Sequence, residues 1–425
     1  MSKKCWGAMI VIGITLGLLS GCGSKNVTID TNRENVENKK DEEQVEYTTE
    51  VAEITVPDVE VQKFEIPENE ALTFVKEMKI GWNLGNTFDA NTETNQFEDE
   101  MKYETIWCGV PTTKEMIDTV KAAGFNTVRI PVSWHNHLTD DNFTISQVWL
   151  DRVQEVVDYV MANDMYAIIN IHHDISKAYY YPSNECLENS TKYMTSIWGQ
   201  ISERFKDYDA HLIFESVNEP RLVGDENEWW FQGDKANCKE AVLCINTLNQ
   251  VFVDTVRKSQ GKNETRYLMV PGYDAAVDSV LYEGFKLPTD SQENKIIVSV
   301  HAYVPYAFAL QSSSESGSTD VWDMTKTKDQ QAITDFMDGL YNKFIVNGTP
   351  VLIGEFGARD KNNNLQARVD FTTYYIAAAR ARGMSCLWWD NNSFVGSGEN
   401  FGLLERRNNT WQYEALLEGL MKYAN

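Results

Sequence analysis

The 425-residue sequence has only six histidines and seven cysteines, and its 38 basic residues are outnumbered by 63 acidic ones. Each shortage excludes something. A formal net charge of -25 would repel phosphates, so no nucleic-acid partner is expected. His172 and His173 are adjacent in what reads as an extended strand, so they should face opposite ways and chelate one ion poorly. No His-Glu-x-x-His or related spacing occurs, and the cysteines match no zinc pattern, so neither a metal nor another cofactor is expected. A Gly-x-Ser-x-Gly elbow and a Gly-rich phosphate loop are also missing, which argues against a serine triad of that kind and against a nucleotide-binding open sheet. The one apolar run near the start, Ala8 to Leu19, is too short to span a membrane.

That run follows Met-Ser-Lys-Lys and precedes Ser20-Gly21-Cys22, the form of an export signal. Leu19-Ser20-Gly21-Cys22 also has the form of a bacterial lipobox. Residues 1–21 are therefore expected to be a lipoprotein signal peptide, with cleavage before Cys22 and lipidation of its thiol. Two acyl chains suffice for stable anchoring, so the protein is expected to be exported, on the cell surface or secreted, touching a membrane through its lipid alone. Residues 22–67 are rich in Asn, Glu, Lys, Thr and Asp and nearly free of aromatics, which predicts a disordered tether. Residues 68–425 read as one domain, expected to be monomeric. Its cysteines, Cys108, Cys186, Cys238, Cys244 and Cys386, are odd in number; Cys238 and Cys244 could pair, but lone buried thiols are expected for most.

Within the domain, short β-rich runs alternate with longer amphipathic ones. Strands are predicted at Lys79–Asn83, Thr127–Pro131, Tyr166–His172, His211–Asn218, Arg266–Val270, Lys295–His301, Pro350–Glu355 and Ser385–Trp389. Helices are predicted at Thr113–Ala122, Trp149–Asn163, Ser190–Phe205, Cys238–Ser259, Asp329–Phe344, Gln366–Arg382 and Tyr413–Tyr423. Eight strands alternating with helices predict the α/β class and a closed (β/α)8 TIM barrel.

In such a barrel the carboxyl ends of the strands share one face, where chemistry is placed. Arg129, His172, Asn218-Glu219, His301, Glu355 and Trp389 all fall at or near those ends. A single strand-end glutamate is more often a structural ion-pair partner. Two of them, Glu219 before Pro220 and Glu355 before Phe356-Gly357, can divide the work at a glycosidic bond, one giving a proton while the other attacks. Aromatics are plentiful, and although most tryptophans of a large domain are core residues, Trp134, Tyr179–Tyr181 and Trp388-Trp389 follow or end strands and are expected at the mouth, where flat faces suit sugar rings.

Asn218-Glu219-Pro220, Ile353-Gly354-Glu355-Phe356-Gly357, Gly81-Trp82-Asn83-Leu84-Gly85-Asn86-Thr87 and Val128-Arg129-Ile130-Pro131-Val132-Ser133-Trp134 together resemble glycoside hydrolase family 5, the cellulase family. The similarity runs from about Leu72 to the C-terminus. It implies that Glu219 is the acid/base and Glu355 the nucleophile of a retaining double displacement, with Arg129 holding Glu355 ionised. It further implies that Asn218 reaches a sugar 2-hydroxyl, that His172, His301 and Tyr303 complete the pocket, and that Trp389 lies beneath the ring at the cleavage point. Asn83, Trp107, Trp134 and His173 are candidate subsite residues. The expected partner is a β-glucan polysaccharide, cellulose-like or mixed-linkage. Xyloglucan, mannan or xylan stay open as substrates of the same fold, and a non-catalytic surface glycan-binding protein stays open as a different class.

Overall fold

The computed structural model describes residues 53–425 apart from Ser397. The expected signal peptide, Cys22 and the tether as far as residue 52 lie outside the described residues. All eight predicted strands are present: β1 Ile80–Leu84, β2 Thr127–Ile130, β3 Tyr166–Asn170, β4 Leu212–Glu215, β5 Leu268–Ala276, β6 Ile296–His301, β7 Val351–Phe356 and β8 Ser385–Asp390. They pair in parallel in that order, and β1 closes on β8 with Asn83 opposite Trp389, making a closed (β/α)8 barrel. The helices are α1 Glu70–Glu77, α2 Lys114–Ala122, α3 Gln147–Met161, α4 Leu187–Arg204, α5 Ala236–Lys258, α6 Val277–Leu281, α7 Tyr306–Ala309, α8 Thr327–Lys343, α9 Leu365–Ala381 and α10 Glu414–Lys422. The short α1, α6 and α7 were not anticipated. A small antiparallel ribbon, Leu404–Glu405 with Thr410–Trp411, follows β8.

The period of two along each strand sorts residues between two cores. Outward residues such as Val128, Ile169, Phe214, Val298, Ile353 and Trp388 join the helices in the main core. Inward residues Ile168, Ile213, Met269, Ile297, Leu352 and Leu387 make a second cluster that fills the barrel, and Ala71 and Val75 of α1, with Met78 just past its end, close it from below. The Asn69 side chain caps α1, accepting from the backbone of Ala71 (2.8 Å) and Leu72 (3.2 Å). Two residues further along the same inward rows stand polar groups: Arg129, Asn170, Glu215 and Ser299, all fully buried. The barrel interior is thus apolar below and polar above, and the polar layer lies at the carboxyl ends.

Two expectations need correction. β3 stops at Asn170 rather than His172, and β4 at Glu215 rather than Asn218. Beyond those points the chain leaves the ladder: the His172 N–H donates to Val132 O and the Asn218 N–H to Ile171 O, both at 2.8 Å. The second concerns the tether. From Glu53 onward the chain lies on the barrel as a strap, with Ile54, Val56, Val59, Val61 and Ile66 packed against the core. Backbone and side-chain bonds fasten it: Thr55 exchanges two hydrogen bonds with Gln366 (2.9 and 2.8 Å), Val59 N–H donates to Tyr423 OH (2.8 Å) and Tyr341 OH donates to Glu65 O (2.7 Å). Polar composition concealed these alternate apolar residues. Cys108, Cys186, Cys238, Cys244 and Cys386 are buried free thiols.

Candidate active site

At the top of the barrel the site is built outward from Arg129 of β2, which is completely buried. Its Nε donates to Glu215 Oε2 (2.7 Å), Nη1 to Glu355 Oε1 (2.7 Å) and Asn83 Oδ1 (3.0 Å), and Nη2 to Asn218 Oδ1 (2.8 Å). Burial disfavours the guanidinium charge, but Glu215 and Glu355 outweigh it and hold Arg129 protonated beyond its ordinary range. Glu215 is fixed in turn by Ser299 Oγ–H (2.6 Å) and Asn170 Nδ2 (3.1 Å). Glu355, on β7, is 5% exposed, and its second oxygen accepts the Tyr303 hydroxyl at 2.9 Å. Burial first, then the Glu355 and Glu219 charges, keep that phenol from ionising.

Glu219 follows β4 by four residues, and its side chain is 20% exposed. His301, the last residue of β6, places Nδ1 2.7 Å from Glu219 Oε1 and 3.7 Å from Glu355 Oε2. Burial alone would lower the His301 pKa, yet Glu355 and Glu219 together raise it above the usual imidazole value. Arg221 Nη1 stands 3.7 Å from Glu219 Oε2. Burial opposes the Glu219 charge, but the His301 hydrogen bond and the charges of His301 and Arg221 outweigh it and draw the carboxyl below its usual range. Facing oxygens of Glu219 and Glu355 lie within 4.8 Å of each other. That separation suits a carboxylate attacking an anomeric carbon directly; admitting a water between them requires about 6.5–9.5 Å.

Trp389 of β8 is 8% exposed, its ring within 1° of parallel to His172. Gly85 lets it lie there, since an added Cβ would sit 2.9 Å from the indole. The structure thus brings together Arg129, His172, Asn218, Glu219, His301, Tyr303, Glu355 and Trp389. Trp107, 43% exposed, stands at the rim with its ring 5.8 Å from that of His173. Asn83 is buried behind Arg129, donating to Gly354 O (3.0 Å) and Trp388 O (3.2 Å), so it braces the site rather than facing the cleft. Trp134 does not line the mouth: it is fully buried and its indole N–H donates to Asn170 O at 2.9 Å. Trp388 and Tyr180 are also fully buried, because alternation along β8 turns Trp388 outward and Tyr180 packs beneath its loop.

Among the described residues, Asp89, His172 and His173 can each offer a ligand atom within 4.8 Å, as can Glu219, His301 and Glu355. The first set corrects the expectation that the two histidines face apart: β3 has already ended, and their rings lie 4.4 Å apart. Both Asp89 oxygens, however, already accept backbone N–H groups of Thr87 (2.7 Å) and Asn86 (3.1 Å), and His172 Nδ1 lies 3.1 Å from the Asn170 amide. Burial keeps both imidazoles neutral, His173 down to about 4.

Sequence reasoning missed Glu215, Asn170 and Ser299. The available signal was phase: each stands at an inward position of an otherwise apolar strand, where an unpaired polar group would be costly.

The model of the family described as Cellulase (glycosyl hydrolase family 5) matches residues 88–395. Endoglucanase B of Ruminococcus albus is 42% identical over 354 residues, 83% of this chain and 81% of that protein. Endoglucanase A of Clostridium longisporum is 41% identical over 354 residues, 83% of this chain and 65% of that protein. Among solved structures, the family 5 lichenase of Caldicellulosiruptor sp. F32, as an E188Q mutant with cellotetraose, is 60% identical with a TM-score of 0.87, covering 88% of this chain and all of that one.

Proposed function

The chain belongs to glycosyl hydrolase family 5, and from that membership and the geometry of the mouth we infer that it is a retaining endo-β-1,4-glucanase acting on cellulose-like or mixed-linkage β-glucan. One observation carries the mechanism: Glu355, clamped by Arg129 and Tyr303, faces Glu219 at less than 4.8 Å. Glu355 attacks the anomeric carbon as the glycosidic C–O bond breaks, and Glu219 gives its proton to the leaving oxygen. The glycosyl ester on Glu355 is then opened by water, whose proton returns to Glu219. Arg129 pairs with Glu355 and aims one oxygen, while Tyr303 fixes the other. His301 adjoins both acids and follows the charge as it moves between them. Asn218, held by Arg129, meets the 2-hydroxyl, and Trp389 supports the ring on its flat face. His172, His173 and Trp107 flank the neighbouring subsite. The likeness to a lichenase favours mixed-linkage glucan.

The remaining parts of the reading are an export signal over residues 1–21, a diacylated Cys22, a tether to about residue 52 and a monomeric barrel at the cell surface. The last descriptor agrees with a net charge that disfavours self-association.

Reducing-sugar release from carboxymethyl cellulose, barley β-glucan, xyloglucan, mannan and xylan tests the substrate, with Glu355→Gln as control. Strong release from the first two, lost in the variant, is expected; dominant release from mannan, xylan or xyloglucan would replace the substrate and keep the mechanism. Glu219→Gln is expected to lose at least about a hundredfold on glucan while sparing aryl cellobiosides with good leaving groups. Equal loss on both would remove Glu219 as the acid.

A further inference from the structure

Most tryptophans of the described residues are buried, and the exposed ones all stand in loops at the carboxyl face of the barrel. Trp107, after β1, flanks the held sugars; Trp229 and Trp230, after β4, are 54% and 59% exposed. β4 lies far round the closed sheet from β1, so this pair stands across the mouth from Trp107. The segment that carries it is firmly fastened. The Leu222 N–H donates to Tyr273 OH (3.1 Å), which donates to Asn227 O (2.8 Å), and the Gly224 N–H donates to Glu228 Oε2 (2.8 Å). Phe231, the next residue, turns inward against the cluster of Leu222, Ile245 and Tyr273. Two large rings are thus held in water by a loop whose other apolar residues are packed, the mark of a surface kept open for a partner.

The pair is continuous with the acid. Arg221 lays its guanidinium 3.9 Å from the centre of the Trp229 ring, while its Nη1 donates to Glu219 O (3.1 Å) and stands 3.7 Å from Glu219 Oε2. The Trp230 ring meets that of Tyr306 edge to face, with centres 5.3 Å apart, and Tyr306 is itself 39% exposed. Tyr306 opens α7, just past Tyr303 on the loop after β6. Between the two loops β5 passes directly into α6, Ala276 being followed by Val277, so no long loop rises between them. An aromatic surface therefore runs outward from Glu219 toward the β6 side.

We propose that Trp229, Trp230 and Tyr306 form a platform for the sugars beyond the scissile bond, on the reducing-end side of the glucan, and that it sets which bond of the chain is cut. This rests on the proposed function: Glu219 gives its proton to the leaving oxygen, so the departing part of the chain lies on the side that Arg221 and Trp229 occupy. Flat aromatic faces suit the apolar faces of sugar rings, and the platform continues a cleft already assigned to the same polymer. A second copy of the chain fits less well, because each would bring a net charge of -25. The three aromatics touch none of the reacting atoms. Their grip on the departing sugars lasts through the transition state, so a register that covers the platform is cut faster than one that leaves it empty.

The test is the cutting pattern on cellohexaose labelled at its reducing end, for the full chain, Trp229→Ala, Trp230→Ala and the double variant. The wild-type chain is expected to release long labelled fragments. In the double variant the ratio of long to short labelled fragments should fall by about tenfold, because cuts move toward the reducing end once the departing sugars lose their support. Trp229→Phe keeps a flat face and should restore part of the ratio. The ratio is independent of overall rate, and an unchanged Tm shows that the fold is intact. If the wild-type chain cuts and the ratio stays put or moves the other way, the platform is overturned and the proposed function stands. If the wild-type chain cuts no glucan, the proposed function is overturned and the platform with it. A wild-type dimer that the double variant dissolves would give these rings to a second copy and overturn the sugar assignment.

Discussion

Arg129 carries a full positive charge where water does not reach, and five polar atoms gather around it: the four hydrogen-bond acceptors on Glu215, Glu355, Asn83 and Asn218, and His301 Nε2 at 3.4 Å. Such a charge is tolerable only when it is paired and hydrogen-bonded on all sides. Glu215 supplies that balance without touching the cleft, and under the proposed mechanism this leaves Glu355 free to give up its charge. Glu215→Gln keeps the shape and removes the second anion. It is expected to destabilise the fold by about 3–5 kcal/mol, the usual result of breaking a buried pair. Urea unfolding measures this, and a change under about 1 kcal/mol would mean that Arg129 finds another partner. At this scale Arg129, Glu219 and Glu355 were legible, because each is a charged residue at the end of an apolar run. Glu215 was not, because one strand does not say which buried cation its acid will meet.

The strands read well as elements, because β-branched and apolar runs of four to six residues bounded by turns have few other uses. Their ends read less well. β3 and β4 were drawn too long, since His172 and Asn218 continue the run but bond to neighbouring loops. α1 escaped notice because its eight residues carry one narrow apolar face, and nothing local says that the barrel floor needs a lid. The strap over residues 53–67 escaped for a similar reason: its apolar residues alternate with polar ones and acquire partners only from α8, α9 and α10. Phe64 illustrates this, lying 4.7 Å from the ring of Tyr341 with Arg382 4.3 Å above its own. Removing residues 53–66 is therefore expected to lower Tm by about 5 °C or more, while a chain beginning at Glu53 keeps the full value. Calorimetry on the two truncations decides it; equal Tm values would make the strap a passive contact.

For the whole molecule, the strap makes residues 53–66 part of the barrel domain. Its first fastening, at Gln366, lies in the opening turn of α9, which follows the carboxyl end of β7. Cys22→Ala is expected to shift the protein from the membrane fraction to the soluble one without changing turnover on soluble glucan; retention on membranes would remove the lipid anchor. The sequence by itself determined the barrel, the two strand-end glutamates and their arginine, because strand periodicity, strand count and charged residues at run ends are local facts. Only the tertiary structure decided which aromatics reach the cleft, why Trp389 does and Trp134 and Trp388 do not, and that Glu215 joins the charge network. Those outcomes depend on which face of each strand turns inward and on what the other seven strands bring to the same level, and no single stretch of chain contains that information.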